Sequence, residues 1–350
     1  MCALGTHYYN NLIMKYYFVF FIVCLFISCV SNKKENEMLS LFPSDSLNAE
    51  IGAPTLIKKV NNRIFVNHSF SEHCFMDAID VESDSILYSF AARGQGPNEF
   101  LQIASMDVFC IEGKWFLLLF DNMKRQCVTY SIDSLDCFKG HCNPVMKQDL
   151  PLSSRYLEVY KMNNFYLASG RTAKKFTMLS VDSLKCITSC VDYLVGNSKD
   201  MDSMTISKAN YGRQYISADR KSLLGVVFMA GTLSLYEVNA DTVAKKWEYI
   251  SSEFKYKKVD TSIYQQSPVG YLAADFVGER ILALYSGEEK GTGTNYGKEF
   301  HLLDNEGNLL RKYSISSELY NFCVDMKDSL VYAISYNPDP KIVIYDIRNL

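Results

Sequence analysis

Seven cations stand in short polar segments between apolar runs: Arg93, Lys124, Arg125, Arg171, Lys174, Lys175 and Lys298. Guanidinium and ammonium groups gathered on one rim hold carboxylates, sulfates or phosphates through charge-assisted hydrogen bonds. In a chain of formal net charge −3, such a gathering points to an anionic partner, either an acidic glycan or an acidic protein surface. The competing reading of the same residues is a set of solvated loop cations. A second set is acidic: Asp107, Glu158, Asp275 and Asp325 lie in separate apolar segments. Hard oxygen ligands converging from several strands would hold a divalent ion of the kind used in metal-assisted hydrolysis.

Other candidates carry less. His68 and His73 bracket a turn ahead of Cys74 and Asp77, but strands of unset register need not bring them to one ion, and they read as loop or edge residues. Cys137 and Cys142 flank a Gly-His bend. They are open to a disulfide, to metal binding with His141, or to being plain thiols, and their spacing is not that of a paired Cys-x-x-Cys site. Cys186 and Cys190 fall on one apparent strand, about 13 Å apart in extended geometry and so too far for a disulfide. Tyr166-Leu-Ala-Ser-Gly170 lacks the first glycine of a serine-nucleophile elbow. The glycine-rich run Gly291–Lys298 precedes Glu299, not Ser or Thr, and leads into a strand, so it reads as a long hairpin loop and not a phosphate cradle. No cofactor and no metal is expected.

The elements that position these residues are strands. With 24 Tyr and 21 Phe against 8 Pro in 350 residues, the composition suits many half-buried strands in one large all-β domain. The absence of a Lys/Arg block, together with the net charge, excludes a nucleic-acid binder. A strand ending in an acidic or Asn turn and followed by another strand recurs at Ile79–Leu87, Ser131–Cys137, Ser180–Cys186, Glu237–Val243, Leu303–Leu309 and, truncated, Ile344–Asn349. The average spacing, about 50 residues, is that of a four-stranded propeller blade with generous loops. On that ruler six blades run over 53–92, 100–140, 154–193, 212–251, 268–316 and 318–350, with Asn61-Asn62 as a tight hairpin turn in the first. The sixth runs out of chain after its third strand, so a segment between Met38 and Ile51 is expected to supply the missing outer strand and pair the open edge. In an antiparallel blade the loops between second and third strands leave by the same face as the joints to the next blade. All seven cations therefore fall on one face, with the acidic turns opposite.

One joint between blades is distinctive. Arg93-Gly-Gln-Gly-Pro-Asn-Glu-Phe100 resembles the Gly-x-Gly-Pro-x-Glu-Phe joint of bacterial lipoproteins with a TolB-like six-bladed propeller, and more distantly that of NHL-repeat propellers. The resemblance implies the fold over essentially the whole mature chain, and brings no catalytic residues with it. Six-bladed rings also include enzymes of the gluconolactonase type, which hold a divalent ion at the pore mouth. A metal-dependent lactonase is thus the alternative to a non-catalytic propeller that binds a protein or glycan on one face, although the four carboxylates are in no arrangement resembling that family's motifs.

The chain's start reads as an address. From Met14 there is a short basic segment, an apolar run over Tyr16–Val30, and polar Ser31–Asn36, which is a secretory signal. Phe26-Ile27-Ser28-Cys29 resembles a lipobox with Phe in place of Leu, which implies lipidation of Cys29. Met14 reads as the true start, since residues 1–13 fit no part of a signal. A transmembrane anchor and a plain cleaved signal remain open, though the apolar run falls short of the roughly 20 residues that span a bilayer. Each places the body outside the cytoplasm, in the bacterial cell envelope, with lipid attachment at the outer membrane expected. Residues 30–52 read as a tether and closing strand, the polar stretch 33–48 being the flexible part, and residues 53–350 as the propeller. Replacing Cys29 by Ala should leave a folded body that partitions into the aqueous phase of a detergent separation, whereas the native chain partitions with detergent.

Overall fold

The computed structural model describes residues 38–151, 155–194, 202–228, 231–251, 256–259, 262–265, 268–289 and 296–350. The signal, Cys29 and residues 291–295 of the glycine-rich loop lie outside them. Two short strands come first, β1 (Leu39–Leu41) and β2 (Asp45–Leu47). Four antiparallel sheets of four strands follow in chain order. The first comprises β3 (Pro54–Val60), β4 (Arg63–His68), β5 (Cys74–Asp80) and β6 (Ser85–Ala92). The second comprises β7 (Ile103–Ile111), β8 (Lys114–Asp121), β9 (Gln126–Ser131) and β10 (Met146–Asp149), with a short helix α1 (Ile132–Cys137) before β10. The third is β11 (Tyr156–Lys161), β12 (Phe165–Gly170), β13 (Phe176–Ser180) and β14 (Cys186–Cys190). Helix α2 (Ser203–Ala209) leads to the fourth: β15 (Gly212–Ile216), β16 (Ser222–Val227), β17 (Thr232–Val238) and β18 (Val243–Ile250). A hairpin, β19 (Tyr256–Val259) and β20 (Ser262–Gln265), stands apart as a two-stranded sheet.

The rest of the chain departs from the six-blade expectation. β21 (Tyr271–Val277), β22 (Arg280–Tyr285), β23 (Gly297–Leu303), β24 (Leu309–Asp325), β25 (Leu330–Ser335) and β26 (Lys341–Asp346) belong to a single eight-stranded sheet that also takes in β1 and β2. Among the described residues four sheets stand as distinct blades. The physical reason is β24, which runs unbroken for 17 residues and pairs with β23 through its first half and with β25 through its second.

Strand periodicity explains how the sheets are held. In β4, Phe65 packs towards the second sheet while Ile64 and Val66 pack towards β25 and β26. In β8, Leu117 and Leu119 join the first sheet's core and Leu118 and Phe120 join the third's. The same alternation repeats in β12, β16 and β25. Because side chains on a strand alternate between faces, each central strand is apolar on both sides and feeds two neighbouring cores. The cores thereby form a closed cycle that returns from the eight-stranded sheet to the first sheet.

Closure comes from the N-terminal segment. β2 pairs antiparallel with Ile342–Ile344 of β26, supplying the outer strand that the sequence lacks there. β1 adds a parallel pairing along Tyr313–Ile315 of β24. Ser44 N–H donates to the Ile344 carbonyl at 2.7 Å, the Asn48 amide to the Asp84 carboxylate at 2.6 Å, and Leu47 and Ile51 enter the closing core. Within the polar stretch expected as a flexible tether, Leu39–Leu41 and Asp45–Leu47 are therefore strands: their backbone groups have a waiting edge, and that outweighs the polar side chains.

Two further corrections concern local structure. Ser131–Cys137, read as an acidic turn, forms helix α1 from Ile132 onward, because Ile132 and Leu135 sit on one helical face and both bury. The second sheet's last strand, β10, also falls beyond the expected limit at residue 140. The cysteines from Cys74 to Cys323 are free thiols, so Cys137–Cys142 makes no bridge. Deleting residues 38–48 removes both pairings and the Leu47 burial, and should lower the melting temperature by on the order of 10 °C, read by circular dichroism.

A candidate anion-binding cleft

The distinctive joint shows what several of the seven cations do. Phe100 is buried, and its N–H donates to the Ala92 carbonyl at 2.8 Å while Gly94 N–H donates to the Phe100 carbonyl at 2.9 Å. The Glu99 carboxylate folds back to accept the Gly96 N–H at 2.7 Å, and it occupies the space that a Cβ at Gly94 or Gly96 would need. Lys124 Nζ donates to the carbonyls of Gly96 and Glu99 at 2.9 and 2.6 Å. Arg93 donates to the Ser71 carbonyl at 2.6 Å and lies over the Phe75 ring. Both cations fasten the joint. Lys175 is buried, donates to the Tyr236 hydroxyl at 2.8 Å and lies over the Phe176 and Tyr236 rings. Lys174 pairs with Asp192 at 2.5 Å, and Lys298 with Glu288 and Glu318.

Arg125 and Arg171 are brought together. They line one cleft of about 390 Å³ with Asn122, Arg155, Tyr156, Leu157, Met204 and Lys208. Asn122 and Arg125 come from the turn between β8 and β9, Arg155 from the approach to β11, Arg171 from the end of β12, and Lys208 from α2. Their meeting has local causes. Arg171 N–H donates to the Arg155 carbonyl at 2.9 Å, and Gly170 lets the two backbones approach, since a Cβ there would collide with Arg155 and Tyr156 main-chain atoms. Helix α2 is capped by Asp202, whose carboxylate accepts the Thr205 N–H at 2.9 Å. Asn210 then ties the end of α2 to Leu194 through hydrogen bonds of 3.0 and 2.9 Å. The cleft thus carries four positive side chains and no carboxylate among its lining residues. The Asn122 amide oxygen is buried there without a hydrogen-bond partner.

Sequence reasoning missed Arg155 and Lys208. Arg155 obeys the same face rule as the others, being in a joint between blades. Lys208 needed α2, for which Asp202-Ser-Met-Thr205 is a legible cap.

The four acidic candidates do not converge. Asp107 binds Arg220 through both carboxylate oxygens, at 2.8 and 3.1 Å. Asp275 accepts the N–H groups of Phe276 and Val324, both at 2.9 Å, and Asp325 pairs with Lys59. Glu158 accepts from the Ser169 hydroxyl at 2.9 Å. His68 lies 2.7 Å from Asp77, and His73 is exposed. Among the described residues no group of three or more His, Cys, Asp or Glu side chains is placed to hold a metal ion.

Comparison with known proteins settles the fold. A family described as TolB-like 6-blade propeller-like matches residues 31–327. The chain belongs to that family. Among solved structures, this TolB-like chain is similar to a Bacteroides fragilis protein described as exported, with 13% identity, TM-score 0.56, and coverage of 89% of this chain and 94% of that one. It is also similar to the β-propeller domain of Cps50 (Swd1) from Myceliophteria thermophila, with 10% identity, TM-score 0.50, and coverage of 87% and 99%. The WD40 repeats of RRP9 match with 8% identity, TM-score 0.52, and coverage of 87% and 97%. At such identities the likeness concerns fold alone. No curated protein matches. Among the described residues no helix is long and apolar enough to cross a membrane.

The TolB-like chain also has two cavities of about 20 Å³ each, both lined by Glu158 and Gln214. Burial pushes the Glu158 carboxyl up to about 7, although the Ser169 hydroxyl, Tyr160, the Arg213 charge and the Gln214 backbone all favour its ionised form. Unfolded, the group ionises near 4.5. Between these values the unfolded chain releases a proton that the folded chain retains, so stability falls as pH rises, by about 3 kcal/mol at pH 8. Glu158→Gln should therefore melt above the native chain at pH 8 and lose that advantage at pH 4.5.

Proposed function

We propose that this TolB-like chain is a non-catalytic, lipid-anchored envelope protein that captures an anionic partner in the cleft of Arg125, Arg155, Arg171 and Lys208. The carrying observation is the cleft itself: four cations from four segments, no lining carboxylate, and a volume in the range of small-molecule sites. Three of the four are arginines, whose planar forks suit bidentate contact with carboxylate or sulfate. Arg93, Lys124 and Lys175 take a supporting role in this reading, holding the loops that shape the rim, while Lys174 and Lys298 lie outside the binding centre.

The blade count enters the proposal too. Read as two blades sharing β24, one of β21–β23 with the first half of β24 and one of its second half with β25, β26 and β2, the eight-stranded sheet makes six with the four discrete sheets. Envelope placement rests on the lipobox-like Phe26–Cys29 and on the described export of the Bacteroides fragilis protein. The lactonase alternative has its four carboxylates committed to other partners and is not favoured.

Detergent-solubilised full chain should bind polyanions such as polygalacturonate, heparin and polyglutamate at low salt. Charge reversal at both sites, Arg125→Glu with Arg171→Glu, should weaken this at least tenfold and flatten the dependence on salt, with an unchanged melting temperature. Equal binding by the double variant, measured by interferometry on immobilised polyanion, would remove the proposal.

A further inference from the structure

Five aromatic side chains continue the cleft along the same face. Tyr211 follows α2 directly, its N–H donating to the Lys208 carbonyl at 3.2 Å. Its ring meets Phe228 edge-on at 5.5 Å. The Arg213 guanidinium lies 5.8 Å from the Phe228 ring and 4.8 Å from that of Tyr320, and donates to the Tyr320 hydroxyl at 3.1 Å. Tyr320 meets Tyr336 edge-on at 5.8 Å, and Tyr336 stacks on Tyr296 at 5.8 Å. Tyr211 comes from the joint before β15, Tyr320 from within β24 beside the register shift at Leu319, and Phe228, Tyr336 and Tyr296 from loops between second and third strands. Four of the five thus leave by the face that carries the cleft, and Tyr320 joins them through its ring contact with Tyr336. Tyr211 is 51% exposed and the other four are half-buried.

Tyr211 stands exposed and the other four keep part of their surface in water, and four of the five are tyrosines, which present a flat apolar ring with a hydroxyl at its tip. We propose that the anionic partner is an acidic polysaccharide, its acid groups held in the four-cation cleft and its sugar rings laid on the arc from Tyr211 to Tyr296. This rests on the cleft's role as an anion site and names the class of anion. A polysaccharide repeats an apolar ring face and an acid group at short intervals, and so engages both halves of the face at once. An acidic protein would instead seat apolar anchors in pockets, and the cavities beside the arc, at about 20 Å³ each, admit water and no side chain.

The test compares three acidic glycans, namely polygalacturonate, alginate and heparin, with polyglutamate of matched charge on detergent-solubilised full chain. At least one glycan should bind more tightly than polyglutamate. Tyr211→Ala and Tyr296→Ala should each reduce that glycan's affinity about tenfold while leaving polyglutamate unchanged, and Tyr211→Phe, which keeps the ring, should retain it. Melting curves confirm that each variant is folded. If polyglutamate binds as well as every glycan, or if the alanine variants weaken both ligand types equally, the partner is not a glycan and the inference falls. The cleft proposal falls separately, only if the arginine reversal leaves all binding intact.

Discussion

Every strand at the edge of a sheet carries a row of unpaired N–H and C=O groups, and this fold has two such rows to satisfy where the chain comes full circle. β1 covers one and β2 the other. Without that pairing the outer edge of β26 would be bare, and the core shared by the first sheet, β25 and β26 would lose the cover of Leu47 and Ile51. The acidic turn between β5 and β6 contributes as well, since Asp84 holds the backbone of Asn48 and Ala49 by its carboxylate. The segment that closes the fold is thus positioned by polar groups and sealed by Leu47 and Ile51.

The cleft depends on this closed arrangement for its geometry. Its cations come from neighbouring blades and one helix, so their spacing is fixed by how the sheets pack and not by any single loop. Gly170 and the Arg171–Arg155 backbone bond set the floor, and the Asp202 cap and Asn210 set the helix.

Much of the architecture was legible in the sequence. The recurrent acidic turns, the Asn61-Asn62 hairpin, which pairs Val60 with Arg63, and the missing outer strand near the C-terminus are local signals with one physical reading. Helices were harder. Ser131-Ile-Asp-Ser-Leu and Ser180-Val-Asp-Ser-Leu open alike, yet the first becomes α1 and the second a turn in which Leu184 takes φ of +50°. Burial of Ile132 and Leu135 against the first two sheets decides between them, and no local pattern reports it. For the cleft, strand parity pointed to loops that include Arg125 and Arg171, but could not tell which cations the fold itself consumes. Lys124 disappears into the carbonyls of a glycine turn and Lys175 under two aromatic rings, outcomes that belong to tertiary packing.

The bond from Ser44 to Ile344 spans 300 positions of sequence. A chain emerging from its N-terminus presents β1 and β2 first, when the strands they pair with are still hundreds of residues away. Until those arrive, the early segment has nothing to pair with, and the blades behind it accumulate as an open stack. Final closure is therefore the slowest contact to nucleate by loop entropy, and it acts as a completeness check. A chain cut short before β26 keeps a bare edge and invites aggregation or proteolysis, while one that reaches its end seals itself.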